Sequence, residues 1–159
     1  MWNTPGGKMK ISYVPKIQGT PVLPFVIDAY VSLRQAGNIE ACDCPASGDE
    51  EAFYILNNRK KVVAVLSFFK SGEGAFTVNM GYVLKAYRKR GYYRILWDRL
   101  VAEGRERELK KIIGYHKGGN AAILGFNEKV GRVIKYISLS SSSSHAPLRH
   151  QFDRAWTRS

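Results

Sequence analysis

The residues best placed to do chemistry lie together in Y-V-L-K-A-Y-R-K-R-G-Y-Y-R, Tyr82 to Arg94. An apolar run from Phe76 to Leu84 ends in a basic turn containing Gly91, and an amphipathic helical pattern follows at once. A strand, a basic glycine turn and a helix start in that order present backbone N–H groups to an anion, at the positive end of the helix dipole. Lys85, Arg88, Lys89, Arg90 and Arg94 surround the turn and favour a phosphate there. The expected ligand is a phosphorylated cofactor or substrate. A second basic cluster, Arg59-Lys60-Lys61, reads as the solvated tip of a hairpin.

The elements that must position this turn follow from patterning. Residues 1–19 form an N-terminal segment with a first strand over Ile11–Val14. Thr20-Pro21 reads as an N-cap followed by proline at the first helical position. Leu23, Val26, Ile27, Tyr30 and Val31 keep helical spacing up to Gly37. Residues 38–51, with C-D-C-P-A-S-G-D-E-E, read as a loop. Strands are expected over Ala52–Leu56, Val62–Phe69 and Ala75–Leu84. Turns at Asn57–Lys61 and Ser71–Gly74 join them into an antiparallel meander. The middle strand, V-V-A-V-L-S-F-F, is apolar throughout and should be covered on both faces.

After the turn, Tyr93, Leu96, Trp97, Leu100, Val101 and Gly104 make one buried helical stripe. Lys111–His116 is a strand. Asn120 can cap a helix running to Gly131, and Arg132–Leu139 is a further strand. Residues 140–159 hold a serine-rich loop and a tail in which Phe152 and Trp156 can anchor a last strand. Joined through a helix, Phe76–Leu84 and Lys111–His116 should be parallel. The expected fold class is α/β, one domain, with a mixed and mostly antiparallel sheet flanked by helices.

Composition sets the outer limits. The chain has 159 residues, 45% hydrophobic and 24% charged, which fits one globular domain. Lys plus Arg is 25 against 13 for Asp plus Glu, a net charge of +12. That excess suits polyanionic partners: a nucleic acid, an anionic cofactor or an acidic protein surface. Cys42 and Cys44 are too few and too close for a disulfide scaffold. With no partner cluster they indicate no metal. No run approaches a membrane span, and M-W-N-T-P-G-G-K lacks the apolar core of a signal peptide. A reducing, intracellular (cytoplasmic) setting without membrane is expected.

This order of elements resembles the GNAT superfamily of acetyl-CoA-dependent N-acetyltransferases, over residues 20–139. The family's pyrophosphate signature is Arg or Gln, two residues, Gly, one residue, then Gly or Ala. Arg88, Gly91 and Tyr93 fill those positions, with Val83 and Tyr87 matching just upstream. A second signature places an Asn at a helix start, an apolar residue six later, often a Tyr next, and a Gly eleven after the Asn. Here these are Asn120, Phe126, Asn127 and Gly131. The resemblance implies acetyl-CoA as cofactor, in contact with Tyr82, Val83, Leu84, Arg88, Lys89, Arg90, Gly91, Tyr92, Tyr93, Arg94 and Asn120. It implies that the cofactor's amides pair with the strand end and its pyrophosphate with N–H groups between Arg90 and Arg94. A backbone N–H near Val83 would face the thioester oxygen.

Two residues depart from the family pattern. Tyr93 stands where a small residue is usual, and its side chain either turns into the core or fills the pocket. Asn127 replaces the tyrosine that commonly protonates the leaving thiolate, which asparagine cannot do. No catalytic residue is assigned. Tyr115 and His116 are the nearest groups for proton transfer, and Glu50, Glu51 and Glu73 are the nearest carboxylates. The expected function is transfer of an acetyl group to an amine on a protein, a small molecule or an aminoacyl-tRNA. The alternative is a non-catalytic module of the same fold. It would serve as a binding or assembly protein, for example in a virus particle, or bind nucleic acid through its basic face.

Overall fold

The computed structural model describes residues 9–37, 47–72, 74–117, 129, 133–139 and 148–155. The elements in chain order are β1 (Lys10–Val14), α1 (Val22–Gln35), β2 (Glu51–Leu56), β3 (Val62–Ser71) and β4 (Ala75–Val83). A 3-10 turn follows (Lys85–Tyr87), then α2 (Tyr92–Glu106), β5 (Lys111–Lys117), β6 (Val133–Leu139) and β7 (Leu148–Ala155). The strands form one sheet in the order β1-β2-β3-β4-β5-β7-β6. β1 through β4 pair antiparallel, and β4 pairs parallel with β5. The chain's last strand inserts between β5 and β6, antiparallel to both. The expected mixed α/β sheet with one parallel step is what the chain builds. The helix expected over 120–131, the serine run at 140–144, Cys42, Cys44, Trp2 and Trp156 lie outside the described residues.

Local chemistry accounts for the element ends. The Thr20 hydroxyl donates to the Ile17 carbonyl and accepts from the Val22 N–H at 3.2 Å, which closes the start of α1. Pro21, at φ −63°, is already helical. At the far end Gly37 takes φ +73° and its N–H returns to the Arg34 carbonyl. That left-handed conformation is where glycine is cheapest. Between β2 and β3, Asn57 Oδ1 accepts from both the Arg59 and Lys61 N–H groups and so folds the tip.

β3 is the centre of the molecule. Val62 through Phe68 are buried, because α1 covers one face and α2 the other. Under α2, Phe53, Phe68 and Phe76 pack in sequence, with centroids 5.4 and 4.8 Å apart. Trp97, Leu96 and Leu100 complete this core. On the other face, Val22, Val26 and Ala29 of α1 meet Ala52, Val65 and Met80. The helical stripe differs from expectation at its first position. Tyr92 is the buried tyrosine, 5% exposed, and Tyr93 is half-buried. Tyr92 lies one turn before Leu96 and its ring sits 6.3 Å from that of Tyr87, so the 3-10 turn supplies the partner that buries it.

A polar clamp ties the end of α2 to the sheet. Arg107 Nη1 and Nη2 donate to the two carboxylate oxygens of Glu51 at 3.0 and 2.6 Å, and its Nε donates to Glu103. The Tyr13 hydroxyl donates to the same Glu51, and the Arg107 guanidinium lies 5.2 Å from the Phe76 ring centre. Burial alone would raise the Glu51 carboxyl. The Arg107 and Tyr13 hydrogen bonds outweigh it, and the group sits below the ordinary carboxylate range. A carboxylate depressed in the folded state contributes stability that is present above its unfolded pKa, about 4. That contribution is lost as pH falls through the lower folded value. Arg107→Ala should therefore lower stability by about 1–3 kcal/mol at neutral pH, by removing charged hydrogen bonds. The loss should shrink below about pH 4. Urea unfolding of both proteins between neutral and acid pH measures it, and a penalty independent of pH would remove the clamp from the account.

Candidate functional site

The parallel pair β4–β5 is short. It runs from Ala75 opposite Lys111 to Val78 opposite Gly114 and stops. β4 continues to Val83 along β3, while β5 continues through Tyr115, His116 and Lys117 along β7. Two neighbouring strands thus part halfway and leave a cleft. The register shows the cause. Phe68 faces Val78 and Ser67 faces Met80, so Asn79 is an extra residue in β4. Such a bulge bends and twists the strand that carries it.

The free side of β4 can be assigned by alternation. The Leu84 N–H donates to the Val63 carbonyl at 2.9 Å. In an antiparallel pair, alternate residues then direct both backbone groups to the partner. Tyr82 and Leu84 therefore face β3, whereas Gly81 and Val83 turn their N–H and C=O groups toward the cleft. Of the three strand-end residues expected at the cofactor, Val83 presents its backbone to the cleft. Tyr82 contributes its ring, edge-on to Phe25 at 6.0 Å and beneath the Arg88 guanidinium at 5.4 Å. Leu84 is an exposed side chain.

The basic turn stands at the mouth of the cleft. Lys89, at φ +62°, and Gly91, at φ +80°, reverse the chain into α2. No side chain caps that helix start, so its first-turn N–H groups are available to an anion. Arg88 folds back, its Nε donating to the Val83 carbonyl at 3.0 Å. Arg90 lies over the Tyr87 ring at 5.2 Å. Arg94 is tied to Asp98 at 3.0 Å and faces along the helix. Lys85 and Lys89 are exposed. Asn120, Phe126, Asn127, Gly131 and Glu73 lie outside the described residues.

Tyr93 fills space that Gly81 leaves. A Cβ built on Gly81 would stand 2.3 Å from Tyr93 Cε2 and 2.7 Å from its hydroxyl oxygen. The phenol ring lies directly on the β4 backbone, and a large residue at the helix start is accommodated by the smallest one in the strand. Of the two placements open from sequence, the ring takes a position at the edge of the core, packed against the cluster under α2. Gly81 was the residue missed. A glycine inside an apolar strand pattern is the signal that marks such a close approach.

The two described carboxylates considered for proton transfer are both committed. Glu51 belongs to the Arg107 clamp. Glu50 is 3% exposed and accepts from the Ser47 and Gly48 N–H groups, the Ser47 hydroxyl and Asn79 Nδ2. It braces the bulged residue at the fork. Tyr115 and His116 occupy β5 just beyond its last pair with β4. A cleft with a free strand edge, ending at an uncapped basic helix start, suits a ligand with amide groups and a phosphate tail. Among the described residues no group of His, Cys, Asp and Glu is placed to hold a metal ion. No helix among them is long and apolar enough to cross a membrane.

Comparison with known proteins identifies the family and the fold. Residues 25–131 match the family described as the acetyltransferase (GNAT) family. No curated protein matches the chain. Among solved structures, the ribosomal-protein-S18-alanine N-acetyltransferase from Escherichia coli superimposes with a TM-score of 0.70 at 16% identity, over 96% of each chain. The IAA acetyltransferase from Bacillus cereus ATCC 14579 gives 0.71 at 14% identity, over 94% of this chain and 100% of that one. A candidate streptothricin acetyltransferase from Bacillus anthracis str. Ames, solved in complex with acetyl coenzyme A, gives 0.62 at 16% identity. That match covers 68% of this chain and 63% of the other. At such identities the likeness establishes the fold.

The Gly81–Tyr93 contact makes a direct prediction. Gly81→Ala should cost about 1–3 kcal/mol by overpacking. In the double variant Gly81→Ala/Tyr93→Ala, the two losses should fall well short of their sum, because the ring that meets the new methyl is gone. Denaturant unfolding of the four proteins closes the cycle, and strict additivity would contradict the contact.

Proposed function

This chain belongs to the acetyltransferase (GNAT) family, and on that premise we propose that it transfers an acetyl group from acetyl-CoA to an amine. The observation that carries this reading is the β4 edge at Gly81 and the Val83 N–H, facing away from β3 beyond the last pair with β5 and opening beside the uncapped start of α2; the Val83 carbonyl already accepts from Arg88. The strand edge offers N–H and C=O groups to the amides of the pantetheine arm. The helix start, with Arg88, Lys89 and Arg90 about it, offers N–H groups and cations to the pyrophosphate. Acetyl-CoA supplies an activated thioester: the amine nitrogen bonds to its carbonyl carbon, the C–S bond breaks, and the amine proton ends on the sulfur.

The protein's own contribution is placement and polarity. A β4 N–H near Val83 donates to the carbonyl oxygen as charge collects there. The fork holds acyl donor and acceptor side by side, which replaces an encounter in solution with a fixed geometry. With Glu50 and Glu51 committed to structural bonds, proton removal falls to water or to Tyr115 and His116 on the opposite arm.

A second reading has its own support. The commitment of both described carboxylates, Glu50 and Glu51, to structural bonds favours a module that keeps the fold without the chemistry.

Calorimetry with acetyl-CoA, paired with an assay for free thiol across a panel of amines, separates the two. The transferase reading expects binding in roughly the micromolar range, equivalent to about 8 kcal/mol. It also expects thiol release with at least one amine. Binding without release supports the second reading. Absence of binding at millimolar cofactor overturns the transferase reading. Arg88→Ala and Arg90→Ala should each weaken binding roughly tenfold, since each removes a cation from the phosphate turn. Unchanged affinity in both would remove the pyrophosphate from that turn.

A further inference from the structure

The two basic clusters that are far apart in sequence form one surface. The tip carrying Arg59, Lys60 and Lys61 is joined to the phosphate turn by a hydrogen bond from Asn57 Nδ2 to the Tyr87 hydroxyl at 3.2 Å. The strands behind them pair up to Val63 and Leu84. Lys61 and Lys85 therefore leave the sheet side by side, and Lys85, Arg88, Lys89 and Arg90 continue the surface. All seven of these side chains are exposed, and among the described residues no carboxylate pairs with any of them. Lys10, opposite Leu56 in the register, opens β1 at the same end of the sheet.

The other end of the sheet mixes acids with bases. Asp49, Glu50 and Glu51 stand at the start of β2, and Glu103, Glu106 and Glu108 at the end of α2. Lys16, Arg107, Lys110 and Lys111 stand among those acids, with Lys16 paired to Asp49 and Arg107 to Glu51, so the uncompensated positive charge gathers at the basic end. The helix runs from the basic end to this mixed one, so its dipole adds to the same polarity. The hairpin tip extends the cationic field beyond the turn that the proposed cofactor would use.

We propose that this end of the molecule is a nucleic-acid surface, which follows the phosphate backbone across the hairpin tip to the mouth of the cleft. Two features favour a phosphate polymer over an acidic protein. Arg88 and Arg90 lie over the Tyr82 and Tyr87 rings at 5.4 and 5.2 Å, and a guanidinium fork suits phosphate oxygens better than a point charge does. The surface is also continuous with a helix start built to receive phosphate. The assignment does not depend on acetyl transfer. If transfer does occur, it places a nucleic-acid-borne amine beside the cleft.

The test uses the whole chain and a fluorescently labelled single-stranded RNA oligonucleotide, read by anisotropy across a salt series. The variant is Arg59→Gln, Lys60→Asn, Lys61→Gln; Asn suits position 60 because Lys60 sits at φ +59°. It should bind the RNA roughly tenfold more weakly at fixed salt. The slope of log affinity against log salt should fall by about 2, as expected for three lost phosphate contacts on a single strand. Its acetyl-CoA affinity should stay within about twofold of the parent, because the turn itself is intact. Unchanged RNA affinity in the variant overturns the proposal, as does parent binding that ignores salt. Equal affinity of the parent for poly-glutamate overturns the assignment to nucleic acid. Loss of acetyl-CoA binding alone bears on the transferase reading and leaves this one standing.

Discussion

β4 must serve two neighbours with different demands, and the site depends on that constraint. Along β3 it pairs for its whole length, which keeps the aromatic core under α2 in register. Along β5 it pairs only to Val78. The bulge at Asn79 lets one strand do both, and the buried Glu50 carboxylate holds the bulged side chain in place. A buried carboxylate is costly unless its lone pairs are filled, and four donors fill those of Glu50. What looks like a defect in the ladder goes with a stretch of β4, at Gly81 and Val83, that faces away from β3 beyond the last pair with β5.

The basic turn inherits its position from the same strand. β4 delivers the chain to the 3-10 turn, Tyr87 and Tyr92 pack together, and α2 starts with its N–H groups at the mouth of the cleft. The departure at Tyr93 is absorbed within this arrangement. In a protein core, volume added at one position has to be removed at another. Gly81 is where it is removed, in the strand that the helix start overlies.

Much of this was legible from local sequence. Thr20-Pro21 and Gly37 marked the ends of α1, Asn57 and Gly74 the turns of the meander, and Arg88-x-x-Gly91 the start of α2. These features depend on neighbours a few residues away. The parts that were not legible are those made by distance. The Glu51–Arg107 clamp joins residues 56 positions apart. The last strand slips between two earlier ones, which no local pattern encodes. The stripe on α2 holds from Leu96 to Gly104 and differs only at its first member, because Tyr92 and Tyr93 are the same residue type and the Tyr87 ring lies beside Tyr92. The hairpin tip reads as an ordinary solvated turn until the sheet sets it beside the phosphate turn. In the cleft itself, the missed residue was the one without a side chain.

The free edge at Gly81 and Val83 has a further consequence. An unpaired strand edge is a template for any extended chain, including another copy of the same protein, and natural sheets guard such edges with charge. Here the guard stands at the mouth and not on the strand. A second copy carries the same net charge of +12 and would meet repulsion there. A ligand with a phosphate tail is drawn in by the same field. Positive charge at the mouth thus favours a small anionic guest over a second basic chain as the strand that completes the sheet.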